Sequence, residues 1–135
     1  MKKAQAAYEF MIIFFMIALG FTFWVAFASS FQENMQVNRN IDLMDDFSLS
    51  LKHDIFLVAQ MHDGFTRQIS IPNTIIANRY EIGNLNNVQY NFSTIFINNS
   101  EIGYYTQFDV PLLEGNIVKG DLILTNQGNK IIISS

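Results

Sequence analysis

The sequence contains no cysteine. A disulfide framework and a thiolate metal site are excluded, although this absence does not fix a redox compartment. Proline is scarce, and neither of the two prolines precedes Pro72, so nothing in the first half forces a break in a helix. Histidine occurs twice, as His53 and His62, and neither has a ligand-like cluster around it. Surface or packing roles are expected for both, and no metal or other cofactor is implied. The C-terminal half has no Gly-rich phosphate loop, no Ser/His/Asp or Cys/His set, and acids (Glu81, Glu101, Asp109, Glu114, Asp121) that are scattered among turns. Nothing in that pattern points to an enzyme. Basic residues are outnumbered 8 to 12 by acidic ones, for a net charge of −4. Without a basic patch, nucleic acid is not an expected partner.

The last absence is the most informative. From Phe10 to Gln32 there is no charged residue of either sign. That run exceeds the ~20 residues that carry a helix across a ~30 Å hydrocarbon core. The rest of the 135 residues have ordinary soluble character. Residues 1–9 carry +1, Glu33 to Asp63 carry −4, and residues 64–135 carry −1. The acidic middle reads as the solvated face of a helix.

Two lysines, Lys2 and Lys3, precede the apolar run, and three readings of this N-terminus are open. The first is a secretory signal peptide, cut after the triplet Ala26-Phe27-Ala28 to leave Ser29 at the new terminus. The run, however, is longer than the roughly 7–15 residues of an h-region. The second is an uncleaved anchor, with the lysines in the cytoplasm and the C-terminal part outside. It leaves Glu9 unexplained, because a carboxylate beside a spanning segment is costly without a partner.

The third reading starts from Glu9. Lys2-Lys3-Ala4-Gln5-Ala6-Ala7-Tyr8-Glu9-Phe10 resembles the class III signal peptide of archaeal type IV pilins. In that family a short basic leader ends in a small residue, and a prepilin peptidase cuts on the cytoplasmic side of the apolar segment. The mature chain often starts with Gln and has Glu at its fifth position. The resemblance implies a cut between Ala4 and Gln5, with Ala4 where Gly is common, and it makes Glu9 the fifth mature residue. Cutting there would create an α-amine at Gln5 with an ordinary pKa of about 8. Glu9, four residues on, lies on the same helix face. The resemblance further implies that Glu9 meets such an amine, its own or a neighbour's, inside an apolar filament core. A buried pair stabilises little in net terms, but removing one partner costs roughly 3–5 kcal/mol. Glu9 would then set register.

The residues themselves support one long helix from Gln5 to about Asp63. Its first half is apolar on every face, as a membrane or filament-core helix must be. Phe10, Phe14, Ile17, Phe21, Trp24 and Ala28 are the candidate packing positions, and small residues (Ala18, Gly20, Ala26, Ala28) permit close helix–helix approach. The second half is amphipathic: Met44, Phe47, Leu51, Ile55 and Val58 follow an i, i+3/i+4 spacing. Between the halves, Gln32 to Asn40 is polar and Asn-rich, with poor helix propensity, and is where a bend or fraying is expected. Gly64 reads as a C-terminal cap.

Beyond Gly64, β-branched and aromatic runs alternate with turn signals. Strands are expected at Arg67–Ile71, Arg79–Ile82, Val88–Ile97, Tyr104–Val110, Asp121–Thr125 and Lys130–Ser134, with a hairpin turn at Thr125–Lys130. Val88–Ile97 has apolar residues on both faces, as a central strand does. The expected fold is α+β: a long N-terminal helix, its apolar half projecting and its amphipathic half packed on a C-terminal antiparallel sheet, the lollipop layout of pilins. The parts are a leader (1–4), an apolar transmembrane or filament-core helix (5–31), an amphipathic helix (32–64) and a β-rich head (65–135). Two N-x-S/T acceptors occur, Asn91-Phe92-Ser93 and Asn98-Asn99-Ser100. Asn98 falls in a turn-like stretch and is the better glycosylation candidate, while Asn91 is expected in a strand.

The expected function is that of a structural subunit of an extracellular pilus-like filament. It is stored in membrane lipid, processed by the peptidase, and polymerised with copies of itself by a pilus assembly machinery, with the head outside. The alternatives are a single-pass anchored surface binding module that never polymerises, and a minor pilin that primes or caps a filament.

Overall fold

A computed structural model describes the backbone of residues 2–75 and 78–135, and the side chains of residues 5, 7–75 and 79–135. Helix α1 runs from Lys2 to Gln60. Residues 32–40, where fraying was expected, stay helical. The helix penalty of an Asn is below about 0.7 kcal/mol, and helix already formed on both sides supplies the nucleus, so three asparagines do not break it. The chain divides into two compact units, Met1–Asn38 and Arg39–Ser135, with the boundary inside this helix.

In the first unit every described side chain is exposed except Ala28, which is half-buried. In the second unit, α1 contributes Met44, Leu51, Ile55 and Val58 to the buried core, and Phe47 packs against it half-buried. The helix ends where Met61 N bonds back to Val58 O at 3.3 Å. The Asn126 side-chain amide donates to Met61 O at 2.6 Å and so caps the end of the helix. Gly64 is not that cap. It lies four residues past Gln60, at φ +84°, in a turn closed by Phe65 N donating to His62 O.

The described residues of the second unit form nine strands: β1 (Thr66–Ile71), β2 (Thr74–Ile75), β3 (Asn78–Arg79), β4 (Glu81–Asn87), β5 (Phe92–Asn99), β6 (Tyr104–Pro111), β7 (Leu113–Glu114), β8 (Gly120–Asn126) and β9 (Ile131–Ser134). They make three sheets, ordered β1-β8-β9-β7, β2-β3 and β4-β5-β6. All pairs are antiparallel except β7 with β9, which is parallel. The layout is therefore α+β, with one long N-terminal helix followed by a largely antiparallel β domain. The expected single sheet is corrected to three, and the expected uniform pairing to one with a parallel edge.

Strand alternation places the core. On β5, Ser93, Ile95, Ile97 and Asn99 are buried while Phe92, Thr94, Phe96 and Asn98 are half-buried. β5 is the central strand of its sheet, and its residues do have an apolar character on both faces. Ile69 and Ile71 of β1, Leu122 and Leu124 of β8, and Ile131 of β9 join the helix stripe in one cluster. Polar contacts tie helix to strands: Arg67 Nη2 bonds Asp54 Oδ1 at 2.7 Å, and the Tyr104 hydroxyl donates to Asp45 Oδ1 at 2.7 Å.

The expected strand at Val88–Ile97 begins late. Val88–Asn91 is a turn, and Asn91 has φ +58°, a conformation that Asn adopts more readily than other side-chain-bearing residues. β4 extends five residues past Ile82, through Gly-Asn-Leu-Asn-Asn, because β5 pairs with it along its whole length. The Phe96 ring lies over Gly83, its Cα partner, where a Cβ would come within 2.5 Å of Phe96 Cζ.

Candidate membrane and assembly segment

The uncharged run of α1 presents its large side chains outward. Phe10, Phe14, Ile17, Phe21 and Trp24 are each about two-thirds exposed (68, 64, 66, 64 and 65%). Their spacing by three and four residues aligns them, with Ala28, along one side of the helix. The remaining sides are no more polar: Met11, Ile13, Phe15, Phe23 and Phe27 are exposed too. Among the described residues one helix, α1, is long and apolar enough to cross a membrane, by length and composition. In water so much exposed apolar surface would drive association. The segment therefore needs lipid or other helices as its surroundings.

The hydroxyls in the run are satisfied locally. Thr22 Oγ1 donates to Ala18 O at 2.9 Å, and Ser29 Oγ and Ser30 Oγ both donate to Ala26 O, at 2.9 and 3.1 Å. Such back-bonding leaves no hydroxyl seeking a partner in an apolar medium. Gly20 has no heavy atom within 4 Å of where a Cβ would be, so that point of the helix is open to an approaching backbone.

At the N-terminal edge of the run, Gln5 Nε2 donates to Glu9 Oε1 at 3.3 Å. The i, i+4 spacing thus brings the two side chains within reach of one another. The side chains of Lys2, Lys3 and Ala4, the expected leader and cleavage residues, lie outside the described residues.

The remaining residues singled out from sequence lie in the second unit. His53 is exposed, 3.9 Å from Asp54, and His62 stands edge-on to Phe65. Among the described residues no group of three or more His, Cys, Asp or Glu could hold a metal ion. The two glycosylation candidates exchange places. Asn98 lies in β5, paired with Glu81 on one side and Tyr105 on the other, and is half-buried. Asn91 lies in the exposed turn that leads into that strand. The reason is the late start of β5: the Asn-rich tip takes the turn, and the stretch after Ile97 stays in the ladder.

Sequence reasoning also missed an open cleft of about 280 Å³ lined by Arg79, Tyr80, Glu81, Asn98, Ser100, Glu101 and Lys119. Its residues come from three separate stretches, so spacing gave no signal. Lys119 Nζ sits 4.3 Å from the Tyr80 ring centroid and donates to Asn73 O at 3.1 Å. Burial pushes the Tyr80 hydroxyl up to about 12. Burial, and then the hydrogen bond to Asp45, also raise that of Tyr104. Compared with known proteins, the chain matches no family model, no curated protein sequence and no solved structure.

Proposed function

We propose that this chain is the subunit of a type IV pilus-like surface filament, held in the membrane by Phe10–Ala28 until it is cut after Ala4 and polymerised through the same helix. The observation that carries the reading is the apolar run of α1, exposed on nearly all sides and edged by Glu9 within reach of Gln5. A span that only anchors needs apolar surface but no carboxylate at its border. A filament built on packed helices has a use for one, because each new α-amine at Gln5 needs a partner of opposite charge. The partners of the chain are then copies of itself, membrane lipid before assembly, the prepilin peptidase and the assembly machinery. The head lies outside the cell, and adhesion to surfaces is the role such a filament serves.

A non-polymerising anchored surface module is the second reading. It is favoured by the uniform apolarity of the run, which lipid alone demands. Two measurements separate them. The first residue of the native protein is expected to be Gln5; Ser29 or Met1 would refute processing after Ala4. Glu9→Gln keeps size and helix propensity but removes the charge, and should cost roughly 3–5 kcal/mol per added subunit. Normal membrane levels and normal processing with few or no filaments by electron microscopy are expected. Wild-type filament numbers would overturn the pairing role of Glu9, and filaments lacking this chain in wild-type cells would favour the anchored module.

A further inference from the structure

We propose that Asn91 carries an N-linked glycan, attached before the head folds, and that folding selects against the second acceptor, Asn98. The inference rests on the outward placement of the head proposed above. Attachment joins Asn91 Nδ2 to C1 of a sugar carried on a polyprenyl phosphate or pyrophosphate. The Nδ2–C1 bond forms as the bond from C1 to the lipid phosphate oxygen breaks. The phosphate leaves with the bonding pair, and the amide nitrogen gives up one proton to a base.

Three observations carry it. First, Asn91 is exposed at the tip of the β4–β5 hairpin, the last residue of the turn, at φ +58°. Its neighbours Leu85, Val88 and Tyr90 are 68, 75 and 68% exposed, an apolar tip that would offer the C–H faces of sugar rings a surface. A glycan there displaces nothing that the folded head uses.

Second, the hydroxyl that completes the acceptor triplet is inaccessible after folding. Ser93 is 0% exposed; its Oγ donates to Asn86 Oδ1 at 2.9 Å and accepts from Leu113 N at 2.8 Å. A transferase that recognises Asn-x-Ser has to reach that hydroxyl. It meets it only before β5 settles against Leu113.

Third, Asn98 is poorly placed to keep a glycan. Its backbone is paired on both sides in the central strand, and the next residue, Asn99, is 1% exposed. Its side chain lines the cleft held by Arg79, Glu101 and Lys119. A sugar there would have to share that cleft with Lys119, which donates to Asn73 O at 3.1 Å. Chains modified at Asn98 are therefore lost from the folded population.

Glycopeptide mass spectrometry of full-length protein from the cells that make it is the test, with Asn91 expected modified and Asn98 bare. An unmodified Asn91, or a glycan on Asn98 of the folded protein, overturns the proposal. Protease treatment of intact cells locates the cause of a bare Asn91. A protected head means that the outward placement has failed as well, and a digested head means that the site assignment alone was wrong. Timing is tested by offering unglycosylated chain, folded or urea-unfolded, to an N-oligosaccharyltransferase with its lipid-linked donor. Modification of Asn91 in the unfolded chain only is expected; equal rates on both overturn attachment before folding. Asn91→Asp should abolish the glycan and leave the circular dichroism of the head unchanged, since Asp also tolerates φ +58°.

Discussion

From Phe10 to Phe31, α1 is apolar on every side and exposed on every side, Ala28 excepted. From Ile41 to Gln60 the same helix is apolar along one stripe, and that stripe is buried. Both stretches are helical, so backbone preference does not distinguish them. Their surroundings do. The second stretch has its solvent built into the chain, in Ile69, Ile95, Leu122 and Leu124. For the first there is none among the described residues, and its stability depends on what is outside it. Loss of apolar contacts should therefore be felt in the second stretch by the isolated chain, and in the first only by an assembly or a membrane.

The sharpest way to break this comparison is deletion. Removing residues 1–30 leaves the stripe and every strand, and should give a soluble, cooperatively melting domain with mixed α/β circular dichroism. Removing residues through Val58 exposes the strand faces that Leu51, Ile55 and Val58 cover, and should give aggregate. A soluble, folded product of the longer deletion would show that the helix stripe is dispensable, and the comparison would collapse.

A smaller effect comes from matched substitutions. Ile55 is 0% exposed and Ile17 is 66% exposed. Ile55→Ala leaves a cavity in the core and should lower the stability of the head by about 2–5 kcal/mol. Ile17→Ala, in the same helix, should leave the head's denaturant midpoint unchanged in detergent. A comparable loss from both would mean that the two stretches share one core.

The stripe was legible in the sequence because a 3.6-residue period needs no knowledge of the partner: Met44, Leu51, Ile55 and Val58 announce a buried face wherever it goes. The uncharged run and the Gln5–Glu9 spacing were legible for a similar local reason. What was illegible depended on pairing at a distance. β4 contains Gly83-Asn84-Leu85-Asn86-Asn87, which has poor strand propensity, and it is a strand because β5 lies alongside. β7 is two residues long and exists through its parallel partner β9. The Val88–Asn91 turn was hidden by its Val and Tyr, although the surrounding asparagines were the available signal. That one misplacement exchanged the two glycosylation candidates. The cap on the helix end was equally remote, since Asn126 comes from the far end of the chain.

The mildest test uses pH and acts on the head alone. Tyr80 is 3% exposed and its hydroxyl donates to Pro72 O. Burial raises its pKa from 10.0 to about 12. The folded head thus holds this proton where the unfolded chain has released it. The contribution to stability is whole below pH 10 and is lost as the pH rises toward 12. Tyr80→Phe removes both the hydrogen bond and the titration. At neutral pH the variant should be less stable by about 1 kcal/mol, the ordinary worth of one hydrogen bond. Between pH 10 and 12 its stability should fall less steeply than that of the parent, so the two curves approach one another. Tyr104, raised in the same direction, stays in both proteins and leaves a residual slope in each. Urea midpoints of the domain lacking residues 1–30, taken across that range, measure the difference. Parallel curves would mean that Tyr80 ionises equally in the folded and unfolded chains, and that the pocket between Pro72 and Lys119 is open to water.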